Sequence, residues 1–441
     1  MVIALTAFFK LVLLYDFNSL PLLGDEYKYW QNSPAAFNDY FSRLNYQGPV
    51  YFIFLAINRI IWQDRALLMI RTEQILLHSL EIYLIYLLAC QYFSKKQALV
   101  SGIIAAVYPE LVSYSYLIFS EIIFLAFLLP AALLYFLALK KPGRQAFPYL
   151  IICGILNGLA SLTRSINLLF LPLIILHLLV FKKDHLKMKI FSSLIFILAM
   201  LAPVSVQTIK NYRVAHCLVL IDTCTGQNFY KSHNVESSPR YDFNEYERPV
   251  NYSRPRCRAG NICQRTRCEI KNALEFISSN PGLTLRRSGV KIIELYVPNL
   301  FIYKNILPKM LHPRNYIYAP DENYGEKLGK YRGSWFRVIG SVSYLLLMLL
   351  ALLGLFASKG WEFRSFTILL ILYYTAVCAF FFVVSRYRIP FMPFLIIYAG
   401  FFLGMTRDQF RNLERWKLLA AIAVWVLLLV LTFPRLLLIL Q

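Results

Sequence analysis

Two adjacent carboxylates, Asp25 and Glu26, stand near the start of the chain in the stretch LPLLGDEYKYWQNS. A carboxylate within hydrogen-bond reach of a hydroxyl can take its proton as a general base. Chemistry that needs two carboxylates flanking one bond is excluded for this pair, because neighbouring side chains on a helix diverge by about 100°. Asp25 and Glu26 are therefore expected to have different tasks.

Three arginines occupy positions at which a charge is unfavourable. Arg164 ends the stretch GLASLTR between two apolar segments, and Arg386 and Arg388 lie in SRYRIP at a similar junction. The planar guanidinium group matches two phosphate oxygens at once. The pattern predicts a phosphate-binding cluster. The alternatives are contacts with lipid phosphates at the membrane surface and ion pairs with Glu121 or Asp25.

Supporting residues are expected around this set. Glu121, in FSEIIF, either faces the same site or only begins a helix after a capping Ser120, where the helix dipole favours a carboxylate. Tyr27 and Tyr51 are candidates for lining the site, with the aromatic belt at the membrane interface as the alternative for Tyr27. Asn228, in GQNFYKSHN, is a candidate for contacting a substrate.

The elements that position these residues are predicted to be membrane-spanning helices. Of 441 residues, 58% are hydrophobic, against about 45–50% in soluble chains. The formal charge of +22 fits basic loops at a lipid surface. Nothing in the sequence resembles a nucleic-acid-binding fold. The class is a polytopic α-helical membrane protein.

Eleven spans are predicted, although the first has only fourteen residues and reaches about 21 Å, short of a hydrocarbon core of about 30 Å. The predicted spans are 2–15, 66–92, 97–116, 121–139, 149–162, 166–181, 190–209, 336–357, 365–384, 389–405 and 418–440.

Charge predicts the orientation of these spans. One set of alternate connections carries 15 basic residues and the opposite set seven, so the first set is expected on the cytoplasmic side. Asp25 and the long polar segment 210–335 then lie on the outer face. The predicted organisation is an N-terminal membrane module (1–209) with a first outer loop at 16–65, an outer domain (210–335) and a C-terminal membrane module (336–441).

The outer domain is predicted to be small and mixed α/β. CEIKNALEFISSNPG has a helical period that ends at Asn280–Gly282, and HCLVLIDT is typical of a short strand. Its five cysteines are Cys217, Cys224, Cys257, Cys263 and Cys268. An outer compartment permits up to two disulfides, with free thiols as an alternative. A metal site is the third alternative, although the spacing matches no standard zinc site.

The order of the motifs resembles GT-C-type glycosyltransferases. The motifs are GDEYKYW on a first outer loop, YQGPVYF soon after it, YPELVSYSYLIFSE between two spans, GLASLTR at a helix turn and SRYRIPFMPFL at a late junction. They are most similar to glycosyltransferase family 39, the dolichyl-phosphate-mannose protein mannosyltransferase-like group, whose fold the aminoarabinose transferase of lipid A shares. The cysteine-rich outer segment, with YDFNEYERPVNYSRPRC, departs from the pattern and leaves the acceptor open.

The resemblance implies transfer of a sugar from a polyprenyl-phosphate carrier to a hydroxyl, with inversion in a single displacement. Asp25 takes the base role, and Glu26 supports it by holding a cation, a substrate hydroxyl or Arg164. The three arginines bind the donor phosphate. A divalent cation (Mg, Mn or Zn) is a possible cofactor, with Glu26 or Glu121 as its ligand.

The expected partners are the lipid-linked donor, membrane lipids and an acceptor protein, glycolipid or glycan. The expected location is a bacterial plasma membrane with the site facing outward. The alternative is the endoplasmic reticulum, where the sequon Asn251–Ser253 would matter. Two other classes stay open: a polyprenyl-phosphate lipid flippase or transporter, and a non-catalytic assembly subunit.

Overall fold

The computed structural model describes residues 2–18, 22, 25–237, 257, 260–298 and 335–440. Short 3₁₀ helices (Gln63–Arg65, Gly143–Ala146, Ser165–Phe170 and Ser385–Phe391) lie at helix junctions. The α-helices of the described residues are, in chain order, α1 (Val2–Asn18), α2 (Asp25–Asn38), α3 (Pro49–Trp62), α4 (Ala66–Cys90), α5 (Lys95–Val107), α6 (Pro109–Tyr114), α7 (Glu121–Lys140), α8 (Phe147–Thr163), α9 (Leu171–Phe181), α10 (Leu186–Ala215), α11 (Cys224–Ser232), α12 (Ile262–Ser279), α13 (Pro281–Tyr296), α14 (Trp335–Ala357), α15 (Trp361–Phe380), α16 (Met392–Leu403), α17 (Arg407–Arg411) and α18 (Arg415–Leu440).

The multi-pass helical architecture is confirmed, but the count of eleven spans is not. α1, α5 and α16 coincide with predicted spans but have only 17, 13 and 12 residues, fewer than the about 20 that a crossing requires. Within the described residues, seven helices are long and apolar enough to cross a membrane: Pro49–Cys90, Glu121–Lys140, Gly143–Thr163, Leu186–Ala215, Val338–Ala357, Trp361–Phe380 and Arg415–Pro434.

Proline explains one of the short helices. The predicted span 97–116 is divided at Pro109, which disfavours helical backbone at Tyr108. α5 therefore ends at Val107, and α6 begins at Pro109 in the first helical position that proline tolerates. The break brings Glu110 and the following loop to the end of the bundle where the candidate site lies.

The strand predicted at HCLVLIDT is wrong, and no strand occurs in the part of the chain that the structure describes. Residues 216–223 instead form a loop along the end of α10. The Asn211 side chain donates to the Val219 and Ile221 carbonyls at 3.2 and 3.0 Å, and Gln207 donates to Ile221 as well. These side-chain donors satisfy the loop carbonyls that a partner strand would otherwise satisfy. The predicted α/β outer domain is therefore not confirmed.

Glycines allow the central helices to approach closely. A Cβ at Gly354 of α14 would lie 2.0 Å from the Tyr398 carbonyl oxygen of α16, and one at Gly400 would lie 2.1 Å from Ser101 Oγ of α5. Gly158 of α8 meets Pro203 and Met200 of α10 in the same way. Small residues at such crossings are a common basis of helix association in membranes.

The two ends of the bundle differ in charge. α7 and α8 are antiparallel neighbours, so Glu121 and Arg164 meet at one end while Lys140 and Gly143 lie at the other. At that second end Lys140 donates to the Gln91 carbonyl at 2.9 Å, and Lys182 to the Lys141 carbonyl at 2.9 Å. The loops predicted to be cytoplasmic thus share the end opposite to Glu121 and Arg164.

The segment after α10 carries α11, α12 and α13. The predicted helix in CEIKNALEFISS is confirmed, since α12 ends at Ser279, Asn280 caps it and Pro281 begins α13. Cys217 is bonded to Cys263 and Cys257 to Cys268, in agreement with the expectation of up to two disulfides. The unusual stretch 241–256, with the Asn251–Ser253 sequon, lies outside the described residues.

Because the helices pack closely at Gly354, the effect of a glycine-to-alanine substitution on stability is expected to depend on its position. Gly354→Ala is expected to destabilise the protein by about 1–3 kcal/mol through overpacking against Tyr398. Gly289→Ala is the matched control, because Gly289 is also helical and nothing lies within 4 Å of a Cβ there. That variant should be as stable as the wild type or more so. Thermal unfolding in detergent at one heating rate compares them, and equal midpoints for the two variants would contradict this account of the α14–α16 contact.

Candidate active site

An ion pair joins Asp25 to Arg386. Asp25 Oδ2 lies 3.0 Å from Arg386 Nη1, and the arginine side chain is 11% exposed. Asp25 is the first residue of α2, where the helix dipole favours a negative charge. Arg386 comes from the 3₁₀ helix Ser385–Phe391, between α15 and α16. The contact therefore joins the start of α2 to the segment that precedes α16, two elements far apart in the sequence.

A second ion pair lies beside the first. Glu121 begins α7, and its carboxylate pairs with the Arg164 guanidinium at the end of α8. Glu121 Oε1 is also 3.9 Å from Arg386 Nε. Asp25, Glu121, Arg164 and Arg386 thus form one group, called here the charge cluster. Glu121 begins the helix and Ser120 occupies the N-cap position, as the alternative expected, but the Ser120 hydroxyl makes no capping bond.

Aromatic rings flank the two arginines of the charge cluster. The Tyr387 ring centroid is 5.4 Å from Arg164 Cζ and 5.9 Å from Arg386 Cζ, and the Phe119 ring is 5.4 Å from Arg386 Cζ. A guanidinium group within about 6 Å of such a ring is attracted by its negative face. The rings keep the arginines in place while leaving their in-plane N–H groups available for oxygen ligands.

Gly48 sets the distance between the first loop and the end of α8. A Cβ at Gly48 would lie 2.4 Å from the Leu162 carbonyl oxygen and 2.7 Å from that of Thr163. Only glycine allows this approach, and the approach places the loop next to Arg164. Pro49 then begins α3, as proline commonly does at a first helical position.

A cavity of about 510 Å³ opens onto the charge cluster. Asp25, Arg164 and Arg386 line one side, and Asn228 of α11 lines another. Sequence reasoning did not select most of its other polar lining residues, which include Gln47, Ser120, Ser165, Asp222, Thr223, Thr225, Thr266 and Arg267. Many of these residues lie near Cys217, Cys224 and Cys263. The segment 216–223 was predicted to be a strand, and that prediction gave no reason to expect it in the wall of the cavity.

Tyr29 also lines the cavity, one turn after Asp25. Its ring packs edge-on against Tyr51 at 5.0 Å. Burial raises the pKa of Tyr29 to about 12, with smaller effects of Arg386, Glu121 and Asp25. The phenol therefore stays protonated at neutral pH and can donate a hydrogen bond to a ligand.

Three predicted site residues lie behind the cavity rather than in its lining. Glu26 is fully buried and accepts a hydrogen bond from the Ile118 backbone N–H at 3.1 Å. Tyr51 is also buried and donates to Gln74 at 3.1 Å. Tyr27 packs against the helical core. Glu26 therefore ties the start of α2 to the loop before α7, and through that loop it fixes Asp25 relative to Glu121.

Arg388 does not reach the charge cluster, in contrast to the prediction. It is fully buried and pairs with Glu110 of α6 at 3.2 Å, donates to the Val297 carbonyl at 2.9 Å and lies 3.9 Å from the Tyr344 ring. A 3₁₀ helix has three residues per turn, so residues two apart point in different directions. Arg386 therefore faces the cavity while Arg388 faces the core.

The described residues do not fit the expected divalent cation. A metal would need several carboxylate or imidazole ligands together, and no group of three such residues occurs in the described ranges. The expected ligand Glu121 is paired with Arg164, and Glu26 accepts from a backbone N–H. No step through a metal is derived for this site.

The fold is GT-C-like, as its similarity to solved structures shows. Over 98% of its length, this chain is similar to the crystal structure of the Archaeoglobus fulgidus oligosaccharyltransferase in the apo form, with 12% identity and a TM-score of 0.54. The structure of that enzyme in complex with Zn and sulfate gives 13% identity and a TM-score of 0.51, again over 98% of this chain. The chain spans 55% and 52% of the length of these two structures.

The family model of dolichyl-phosphate-mannose-protein mannosyltransferases matches residues 46–206. The resemblance seen in the motifs is thereby confirmed over the part of the chain that runs from Tyr46 to Val206 and includes Gly48, Glu121 and Arg164. A comparison with curated proteins gives no match.

The buried Arg388–Glu110 pair predicts a purely structural effect. Arg388→Met leaves the buried Glu110 carboxyl without its ion-pair partner, so the variant should lose about 3–5 kcal/mol of stability. Arg43→Met removes the exposed i,i+4 pair with Asp39 and should change stability by about 0–1 kcal/mol. Thermal unfolding of both variants checks this contrast, and an Arg388→Met protein as stable as the wild type would refute the structural role.

Proposed function

We propose that this protein transfers a sugar from a polyprenyl-phosphate donor to an acceptor hydroxyl, by an inverting single displacement. The observation that supports this most strongly is the pairing of Asp25 with Arg386 at 3.0 Å on the wall of a cavity. A base and a phosphate-binding cation are the two groups that such a displacement requires. The GT-C fold and the family match over 46–206 agree with the same reaction class.

In the proposed reaction the acceptor oxygen forms a bond to the anomeric carbon while the bond from that carbon to the phosphate oxygen breaks. Asp25 takes the proton of the acceptor hydroxyl, and the phosphate leaves as an anion stabilised by Arg386 and Arg164. Phosphate leaves without being protonated, so no second carboxylic acid is needed. Tyr29 donates a hydrogen bond inside the cavity, and Glu121 holds Arg164 in place.

The Asp25–Arg386 contact also links donor binding to activation of the base. A donor phosphate would compete with Asp25 for the same guanidinium, because each binds through anionic oxygens. Occupation by the phosphate releases Asp25 from its ion pair beside the reacting carbon. A carboxylate freed in this way is a stronger hydrogen-bond acceptor for the incoming hydroxyl.

The outer side of a membrane is the proposed location of the site. The charge cluster lies at the end of the bundle opposite to the basic loops, and the positive-inside rule assigns those loops to the cytoplasm. The disulfides at Cys217 and Cys257 belong in an oxidising compartment. A bacterial plasma membrane is proposed, and the acceptor is proposed to be a protein, glycolipid or glycan that reaches this face.

Substitution of the base should abolish transfer without unfolding the protein. Purified protein in detergent is given a panel of polyprenyl-phosphate sugars with candidate acceptors, and the glycosylated product is detected by mass spectrometry. Asp25→Asn should lower turnover by about 10²–10⁴-fold. Asp39→Asn is the matched control, because Asp39 follows the same helix but forms only an exposed pair with Arg43. Full activity of Asp25→Asn, or no turnover of any donor by the wild type, would reject the proposal in favour of transport or assembly.

Substitution of Arg386 should affect both donor binding and chemistry. Arg386→Gln is expected to raise the donor KM and to lower kcat by about 10²–10³-fold, because the departing phosphate loses a charged donor. Arg386→Lys should restore only part of the activity, since an ammonium lacks the planar fork of guanidinium. Steady-state kinetics at varied donor concentration separates the two constants, and an unchanged donor KM in both variants would contradict a phosphate-binding role.

A further inference from the structure

A second group of basic side chains lies outside the charge cluster, where α11 and α13 pack against the end of α15. The group consists of His233, Arg287 and Lys291 and is called here the basic pocket. Lys291 and His233 are 1% and 2% exposed, so both are at least nine-tenths buried. Burial of charge on this scale normally requires a partner of opposite sign.

Lys291 has no such partner among the described residues. Its ammonium nitrogen is buried and makes no hydrogen bond within that part of the chain. The hydroxyl of Ser232, which immediately precedes His233, is likewise buried without a hydrogen-bond partner there. Two buried donors that lack acceptors are unusual in native proteins.

The other members of the basic pocket are held by carbonyl groups rather than by carboxylates. His233 Nε2 lies 2.7 Å from the Phe380 carbonyl oxygen at the end of α15. Arg287 donates to the Asn234 carbonyl at 2.7 Å and to the Val235 carbonyl at 3.2 Å. These contacts fix His233 and Arg287 in place but bring no negative charge near Lys291.

The basic groups also repel one another. Burial, followed by the charge of Arg287, lowers the pKa of Lys291 to about 8. Burial, followed by the charge of Lys291, lowers the pKa of His233 to about 4. In the described residues no carboxylate contributes to either shift. An anion in the pocket would relieve this repulsion and satisfy the orphaned donors.

We propose that the basic pocket formed by Lys291, His233 and Arg287 binds a phosphate-type oxyanion, at a site separate from the proposed catalytic centre. The tetrahedral oxygens of such an ion accept from an ammonium and a hydroxyl together, and the Arg287 guanidinium adds positive charge beside them. The source is either the headgroup of an anionic phospholipid or free phosphate. Since Phe381, next to the carbonyl that holds His233, lines the catalytic cavity, the bound anion would stabilise the cavity wall at the end of α15.

Thermal unfolding tests this site in the full-length protein. The titration uses inorganic phosphate against chloride at constant ionic strength, in the Arg386→Gln background, because the arginines of the charge cluster could also take up phosphate. The background protein should show a saturable rise in its unfolding midpoint. Adding Lys291→Met should remove the rise, whereas adding Lys271→Met, at an exposed position on α12, should leave it intact.

A second measurement separates an anion site from a hidden ion pair within the chain. Without phosphate, Lys291→Met in the same background should be at least as stable as its parent, because it removes a buried charge that has no partner. Loss of stability in phosphate-free buffer would overturn the proposal, as would a background protein that does not respond to phosphate. Retention of the phosphate response by Lys291→Met would also overturn it.

Lipid nanodiscs then identify the source of the anion. If a phospholipid headgroup is the ligand, discs of phosphatidylglycerol without free phosphate should reproduce the Lys291-dependent rise relative to discs of phosphatidylcholine. If free phosphate is the ligand, the rise should require added phosphate in both kinds of disc. Neither result depends on sugar transfer. The anion-site proposal and the catalytic proposal can therefore fail independently of each other.

Discussion

The end of the helical bundle that carries the candidate site depends on the charge cluster, in which two carboxylates and two guanidinium groups, largely removed from water, neutralise one another. Arg386 lies between Asp25 and Glu121, and Glu121 also holds Arg164. In a low-dielectric setting a guanidinium without its carboxylate is costly, by about 3–5 kcal/mol when one partner of a buried pair is removed. Four elements that are distant in the sequence must therefore arrive together: the start of α2, the start of α7, the end of α8 and the 3₁₀ helix before α16.

The remaining architecture can be understood as the means of bringing these elements to one place. The antiparallel packing of α7 on α8 brings Glu121 to Arg164, and Gly48 lets the first loop approach the α8 carbonyls. The 3₁₀ helix Ser385–Phe391 carries two arginines with opposite tasks. Arg388 fastens it to Glu110 in the core, and Arg386 can then present its guanidinium at a defined position in the cavity.

The sequence predicted the helical class and brought attention to Asp25, Arg164 and Arg386, because a charge at the border of an apolar segment is rare and therefore informative. The sequence could not distinguish the role of Arg386 from that of Arg388. Both are arginines in the same short stretch, and they differ only in the direction in which their side chains leave the 3₁₀ helix. Burial of Glu26 depends on the loop before α7, which no local pattern reveals. HCLVLIDT has the composition of a strand, but the amide side chains of α10 satisfy its carbonyls and a disulfide secures it, so tertiary contacts override the propensity.

The disulfide between Cys217 and Cys263 has a consequence for when the protein becomes competent. Both cysteines line the cavity, so part of its wall is completed by a covalent bond that forms only in an oxidising environment. A chain in which these two thiols stay reduced would carry the charged residues without the finished enclosure around them. The oxidation state of this one bond therefore determines whether the cavity wall is complete.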